Sequence, residues 1–252
     1  MPLQPKPAPL LPAHVLDKVA VVTGASGPIG AAVAEGFAQA GASVVLVYGR
    51  DPGAVQTAKM LSDKNGVQCI AMQLDVRDFD ATKAAIDAVV NQFGHLDIWV
   101  ANAGVAQDDM TIINGKKADW ENIIQTNYTS IVYQASLLGS VWQAQGSGNL
   151  IITASGAATS TIRPTNQTLY NSSKAAAKSL ARSLAQEFKD FARYMGDAQG
   201  APEAEIDNAL SRQVLNRTGE YRELQGAYLY LASAASTFCT GHDLVVDGGY
   251  TL

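Results

Sequence analysis

The chain has 252 residues, 47% of them hydrophobic and 16% charged, which suits one domain with a full core and excludes disorder, collagen and coiled coil. Eighteen basic against 23 acidic side chains leave a net charge of −5, and no basic cluster appears, so nucleic acid is not an expected partner. Two cysteines, Cys69 and Cys239, cannot form a disulfide framework, and a reduced, cytoplasmic protein is expected.

Residues 1–17 open with Met-Pro-Leu-Gln-Pro-Lys-Pro. Their prolines exclude a signal or transit helix and predict a disordered arm ahead of a domain spanning 18–252. From Lys18 onward, apolar runs of strand length alternate with segments of helical period. Strands are predicted at Val19–Thr23, Ser43–Val47, Gln68–Leu74, Leu96–Ala101, Asn149–Thr153 and Leu244–Val246. Helices are predicted at Ile29–Ala40, Gly53–Lys64, Asp78–Phe93, Lys117–Gln143, Tyr170–Phe188 and Glu220–Ala232. Strands that read as unbroken Val/Ile/Leu/Ala runs belong to a parallel sheet covered on both faces. The alternation therefore predicts a single doubly wound α/β domain of the Rossmann type, with helices flanking a parallel sheet. The uncharged stretch from Asn122 to Ile162 is long enough to cross a bilayer. It carries Asn127, Gln134, Gln143, Gln145 and glycines that include Gly139, Gly146 and Gly148, so no membrane partner is expected.

The first strand ends in Thr23-Gly24-Ala25-Ser26-Gly27-Pro28-Ile29-Gly30. Glycines at a strand-to-helix turn let the backbone approach a pyrophosphate, and the helix terminus supplies amide donors. The second strand ends in Tyr48-Gly49-Arg50. An acidic residue there binds the ribose 2′-hydroxyl of NAD, whereas an arginine accommodates the 2′-phosphate of NADP. Arg50 favours NADP(H), and Asp51 leaves NAD(H) open.

Tyr170 and Lys174, spaced by four on a predicted helix, fall on one face a turn apart. A free tyrosine has a pKa of ~10. A neighbouring ammonium favours the phenolate and fits the group for proton transfer near neutrality. His14, His95 and His242 lie far apart without a second ligand at helical spacing, so no metal is expected.

Together these motifs resemble the classical short-chain dehydrogenase/reductase family, and the glycine turn resembles its fungal NADP-dependent mannitol dehydrogenase and sorbose reductase branch. Thr23, Gly24 and Gly30 match the family's Thr-Gly-x-x-x-Gly-x-Gly; Pro28 stands where the middle glycine belongs, and Gly27 falls one residue early. Leu74-Asp75-Val76 resembles the family's adenine-contacting turn, and Ala101-Asn102-Ala103-Gly104 its Asn-Asn-Ala-Gly turn, which also braces the sheet. The resemblance implies a cofactor site of Gly24, Ser26, Gly27, Ile29, Gly30, Arg50, Asp75, Val76, Asn102, Ala103, Gly104, Tyr170 and Lys174. It also implies a catalytic set in which Ser155 binds the substrate carbonyl, Tyr170 passes the proton, Lys174 holds the nicotinamide ribose and Asn127 anchors a water relay. The implied substrate is a small carbonyl or alcohol, a ketose/polyol pair by likeness to that branch, and the implied assembly is a homo-oligomer, tetramer or dimer. Ser155 and Tyr170 stand 15 residues apart, longer than the family's usual spacing. The loop between them is therefore expected to bulge, with Thr159 and Ser160 as fallback hydroxyls.

One segment departs from that pattern. Between Arg193 and Pro202 there is no run of four apolar residues and no Pro-Gly turn, so the internal strand expected there is missing. Its loss would leave neighbouring backbone groups unpaired at about 1–3 kcal/mol each. A similar shortening occurs at Asp17-Lys18. Either residues are missing from the chain as written, or a genuine deletion has impaired the nicotinamide side and left a nucleotide-binding regulator or scaffold. Because the pattern resumes so well afterwards, the first is expected, with intact mass as the check.

Overall fold

The computed structural model describes residues 15–106, 111–160, 166–196 and 213–252, with residues 194–196 described by their backbone alone. The expected arm of residues 1–17 falls largely outside them; Val15 is already buried in the core.

Six parallel strands form one sheet: β1 Val19–Thr23, β2 Ser43–Tyr48, β3 Cys69–Gln73, β4 Ile98–Ala101, β5 Asn149–Ile152 and β6 Arg193–Gly196, in the order β3-β2-β1-β4-β5-β6. That order reverses direction between β1 and β4, the point at which a doubly wound sheet opens a crevice beyond its strand ends. Helices α1 Pro28–Gln39, α2 Gly53–Asn65, α3 Phe79–Phe93, α4 Lys117–Ile124, α5 Ser130–Gln145, α6 Thr168–Glu187 and α7 Gln225–Ala232 cover it.

The unbroken apolar strands are explained by their two faces. Ala20, Val22, Val44 and Leu46 pack with Phe37 of α1, Leu61 of α2 and Leu231 of α7. Their neighbours Val19, Val21, Val45 and Val47 share the opposite cluster with Ile86 of α3, Trp142 of α5 and Ala181 of α6. Alternation along each strand thus feeds two cores.

Two expectations require correction. The strand thought to be missing after Arg193 is present: β6 pairs Arg193 to Gly196 with Asn149 to Ile152 of β5. Its sequence, Arg-Tyr-Met-Gly, is not an apolar run. A ladder needs only backbone groups and a strand-compatible conformation, so sheet pairing outweighs hydrophobic patterning there. Leu244–Val246, expected as a strand, forms none; Leu244 and Val246 pack partly buried against the α1 side of the core, and Val245 is exposed. Two expected helices are also interrupted. A π-helical turn, Gln125–Thr129, separates α4 from α5, and a 3-10 turn, Tyr221–Leu224, precedes α7.

Gly148 lies against Trp142, a fully buried side chain whose indole donates to the Leu96 carbonyl at 2.7 Å. A Cβ at Gly148 would stand 1.9 Å from the indole ring. Gly148→Ala is expected to cost about 3 kcal/mol through overpacking; chemical denaturation of both proteins measures it.

Candidate active site

At the crevice, β1 runs into Gly24, whose φ of +66° is left-handed, and then into α1, which begins at Pro28. Gly30 is required by packing, since a Cβ there would meet the Gly24 carbonyl at 2.4 Å. Gly27 is the N-cap of α1 and makes no side-chain capping bond. The first-turn amides of Ile29 and Gly30 have no acceptor within the helix, and Pro28 has no amide hydrogen to leave unmet.

Ser26 Oγ donates to the Asp51 carbonyl at 2.6 Å, tying the glycine turn to the end of β2. Asp51 lies just ahead of α2, whose N-cap is Pro52, and its carboxylate accepts from Gly53 N–H at 2.9 Å. Arg50 is exposed beside it. Asp75, at the end of β3, is engaged by Arg77 at 2.6 Å, and this guanidinium holds its carboxyl below the usual range. Val76 is buried next to it.

After β4, Thr23 organises the turn: its Oγ accepts from Asn102 N–H at 2.9 Å and Ala103 N–H at 3.0 Å while donating to the Val100 carbonyl at 3.1 Å. Asn102 Nδ2 donates to the Thr23 carbonyl at 2.9 Å. The Asn102 side chain therefore braces β1 against β4. Gly104 comes next, and a Cβ there would lie 3.4 Å from both Asn127 Oδ1 and Lys174 Nζ.

Asn127 sits in the π turn, fully buried. Such turns widen a helix by one residue and are frequent at functional sites. Its Oδ1 accepts from Val105 N–H at 2.8 Å, and its Nδ2 donates to the Val105 carbonyl at 2.9 Å and to Ser173 Oγ at 3.1 Å. Ser173 Oγ in turn donates to the Tyr170 carbonyl at 2.7 Å. One asparagine thus fastens the β4 loop to the turn of α6 that carries Tyr170.

Tyr170 and Lys174 share a face of α6 as expected, with Lys174 Nζ 5.8 Å from the phenol ring centroid. Lys174 is buried, and its ammonium donates to the Thr153 carbonyl at 2.8 Å. Ser155, two residues beyond Thr153, is buried and accepts from Ala157 N–H at 3.2 Å, capping the 3-10 turn Gly156–Ala158. The bulge expected before Tyr170 falls partly on residues 161–165, outside the described ones. Of the fallback hydroxyls, Thr159 is exposed and donates to the Gly156 carbonyl at 3.2 Å, while Ser160 donates its amide to the same carbonyl.

Thr153 and Ser173 were not foreseen from the sequence. Thr153 acts through its backbone carbonyl, which no side-chain pattern reveals. Ser173, three residues after Tyr170, carried a weak signal as a polar residue on the buried side of an otherwise legible motif.

The family described as Enoyl-(Acyl carrier protein) reductase matches residues 24–251. The NADP-dependent mannitol dehydrogenase of Hypocrea jecorina is 37% identical over 93% of this chain and 92% of its own. The sorbose reductase of Candida albicans is 41% identical over 98% of this chain and 94% of its own. The chain belongs to the short-chain dehydrogenase/reductase family. Among solved members, the NADPH-dependent 3-quinuclidinone reductase of Rhodotorula rubra superposes with a TM-score of 0.91 at 37% identity, covering 98% of this chain and 99% of that one. The alignment with the sorbose reductase spans 264 positions against 252 residues here, so that short-chain reductase carries residues this chain lacks.

Proposed function

We propose that the chain is an NADP(H)-dependent oxidoreductase that moves hydride between the nicotinamide C4 and the carbonyl carbon of a ketose, interconverting it with a polyol. The observation that carries this reading is the buried Lys174 ammonium beside the Tyr170 ring, held by the Thr153 carbonyl two residues before Ser155.

The crevice fits the cofactor. The uncapped start of α1 offers the amides of Ile29 and Gly30 to a pyrophosphate. Gly24, Ser26 and Gly27 form the turn beneath it. Arg50 would meet a 2′-phosphate, while one carboxylate oxygen of neighbouring Asp51 already accepts from Gly53 N–H. Asp75, Val76, Asn102, Ala103 and Gly104 would border the adenine and ribose. Arg50→Ala is therefore expected to raise the KM for NADPH roughly tenfold to a hundredfold, the worth of a charge-assisted bond, and to leave the KM for NADH unchanged. Initial rates with both cofactors measure it.

NADPH, when bound, supplies the hydride. Ser155 accepts from Ala157, which leaves its hydroxyl hydrogen for the substrate carbonyl oxygen. Tyr170 donates the proton to that oxygen, and the Lys174 charge stabilises the phenolate left behind. Asn127 has its amide occupied by Val105 and Ser173, so its part in a water relay falls to its main chain.

NADPH oxidation by the purified protein against sorbose, fructose, xylulose and small diketones tests the reading. Turnover with a ketose is expected. NADPH binding without turnover on any carbonyl would favour a nucleotide-binding regulator instead.

Assembly as a homo-oligomer is part of the same reading. Its support is a groove of about 590 Å³ between α5 and α6, lined by Ala135, Gly139, Ser140, Leu180, Phe188 and Phe191. Small residues beside two rings suit close approach of a second copy. Light scattering measures the assembly, and a monomer would contradict it. A cytoplasmic location is supported by both cysteines being free; among the described residues no helix is long and apolar enough to cross a membrane.

A further inference from the structure

Helix α7 carries a fully buried tyrosine, Tyr228, within the apolar cluster that holds Val100, Ile151 and Leu231. Its hydroxyl lies 2.7 Å from Thr153 Oγ, and either can donate. Buried hydroxyls are costly unless bonded, so this pair specifies one arrangement of the two side chains. Thr153 is the residue that leaves β5. Its amide donates to the Ala101 carbonyl at 3.0 Å, and its carbonyl receives Lys174 Nζ. The helix behind it is fixed at two further points: Asn149 Nδ2 donates to the Leu231 carbonyl at 2.7 Å, and Gln225 Nε2 to the Ala32 carbonyl at 2.9 Å.

A lysine ammonium is a compact charge on a flexible four-carbon stem. Where it rests relative to the phenol is decided by the acceptors around it. We propose that Tyr228 is a positioning residue for Lys174: by holding the Thr153 side chain, it fixes the carbonyl that aims the ammonium at Tyr170. This rests on the reading of Tyr170 and Lys174 as the proton-transfer pair.

Other ionisable groups facing α6 are these: Asp243 of the C-terminal segment pairs with Lys178 at 3.0 Å and Arg182 at 2.8 Å, both on α6 itself. Lys117 and Glu121 of α4 pair with each other at 3.0 Å, Asp119 lies in the first turn of that helix and Tyr128 in the π turn, and Arg193 of β6 donates to Ser236 Oγ at 3.0 Å.

The test uses the full chain and two readouts: the tyrosinate absorbance that Tyr170→Phe removes, followed as pH rises, and the pH profile of kcat for mannitol oxidation. In Tyr228→Phe both are expected to move to higher pH by roughly half to one unit, with a loss in kcat near neutrality of roughly threefold to tenfold. Thr153→Val removes the same bond from the other side and carries the same prediction, so the result does not depend on one variant folding. Thr153→Ser, which keeps the hydroxyl, brings the profile back toward wild type. The double variant Tyr228→Phe/Thr153→Val moves no further than either single one.

An unmoved profile with only a lowered melting temperature would make the bond a packing feature and overturn the proposal. So would a shift in Thr153→Ser as large as in Thr153→Val. Retained turnover in Tyr170→Phe would overturn the proton-transfer pair itself. Lost turnover there, with an unmoved profile in Tyr228→Phe, would overturn the positioning role alone.

Discussion

Tyr170→Phe is expected to lower kcat for ketose reduction by about 10³-fold while leaving NADPH affinity close to wild type. A positioned general acid contributes typically about 10²–10⁴-fold, and removing one phenolic oxygen deletes the proton donor without changing the shape of the ring. Tyr170 is partly buried near the start of α6. The packing of that helix comes from Ala177, Ala181 and Leu184 on the following turns, so the fold should survive the change. Stopped-flow reduction with the variant, together with NADPH titration by fluorescence, separates the two effects. Unchanged turnover would remove Tyr170 from the reaction.

Lys174→Met is expected to differ in kind. Methionine keeps most of the stem volume but deletes the charge, so under the proposed function the phenolate would lose its stabilisation and the ribose its donor. A fall in kcat/KM on the order of 10³-fold is expected, with a rise in the NADPH dissociation constant that Tyr170→Phe does not produce. The variant also leaves the Thr153 carbonyl without its Lys174 donor in a buried place, so a lower melting temperature accompanies the loss. Calorimetry and cofactor titration measure both. Unaltered NADPH binding would limit Lys174 to the phenol alone.

Much of this architecture can be read from residue order because the strands on the two-faced sheet advertise themselves. Val19–Thr23 and Ser43–Tyr48 are buried almost throughout, and short β-branched runs of this kind suit a sheet covered on both sides. The glycine turn and the Tyr170/Lys174 spacing are equally legible, since each combines a residue type with a fixed interval. What escapes is carried by the backbone. Arg193–Gly196 completes the sheet through main-chain pairing with β5, although its side chains give no apolar pattern. Leu244–Val246 has the pattern and no ladder, Leu244 and Val246 packing against the core instead while Val245 is exposed. The π turn at Asn127 and the Thr153 carbonyl depend on where a helix slips by one residue and where a strand ends. Neither leaves a mark in composition or period.

The central claim is that this chain passes hydride to a carbonyl while Tyr170 protonates its oxygen. Reduction of sorbose with NADPH deuterated at the transferring position of C4, followed by mass spectrometry of the polyol, addresses it most directly. One deuterium on the newly formed carbinol carbon is expected with the wild-type protein, and almost no labelled polyol in the same time with Tyr170→Phe. Polyol formed without deuterium, or labelled equally fast by the variant, would contradict the account.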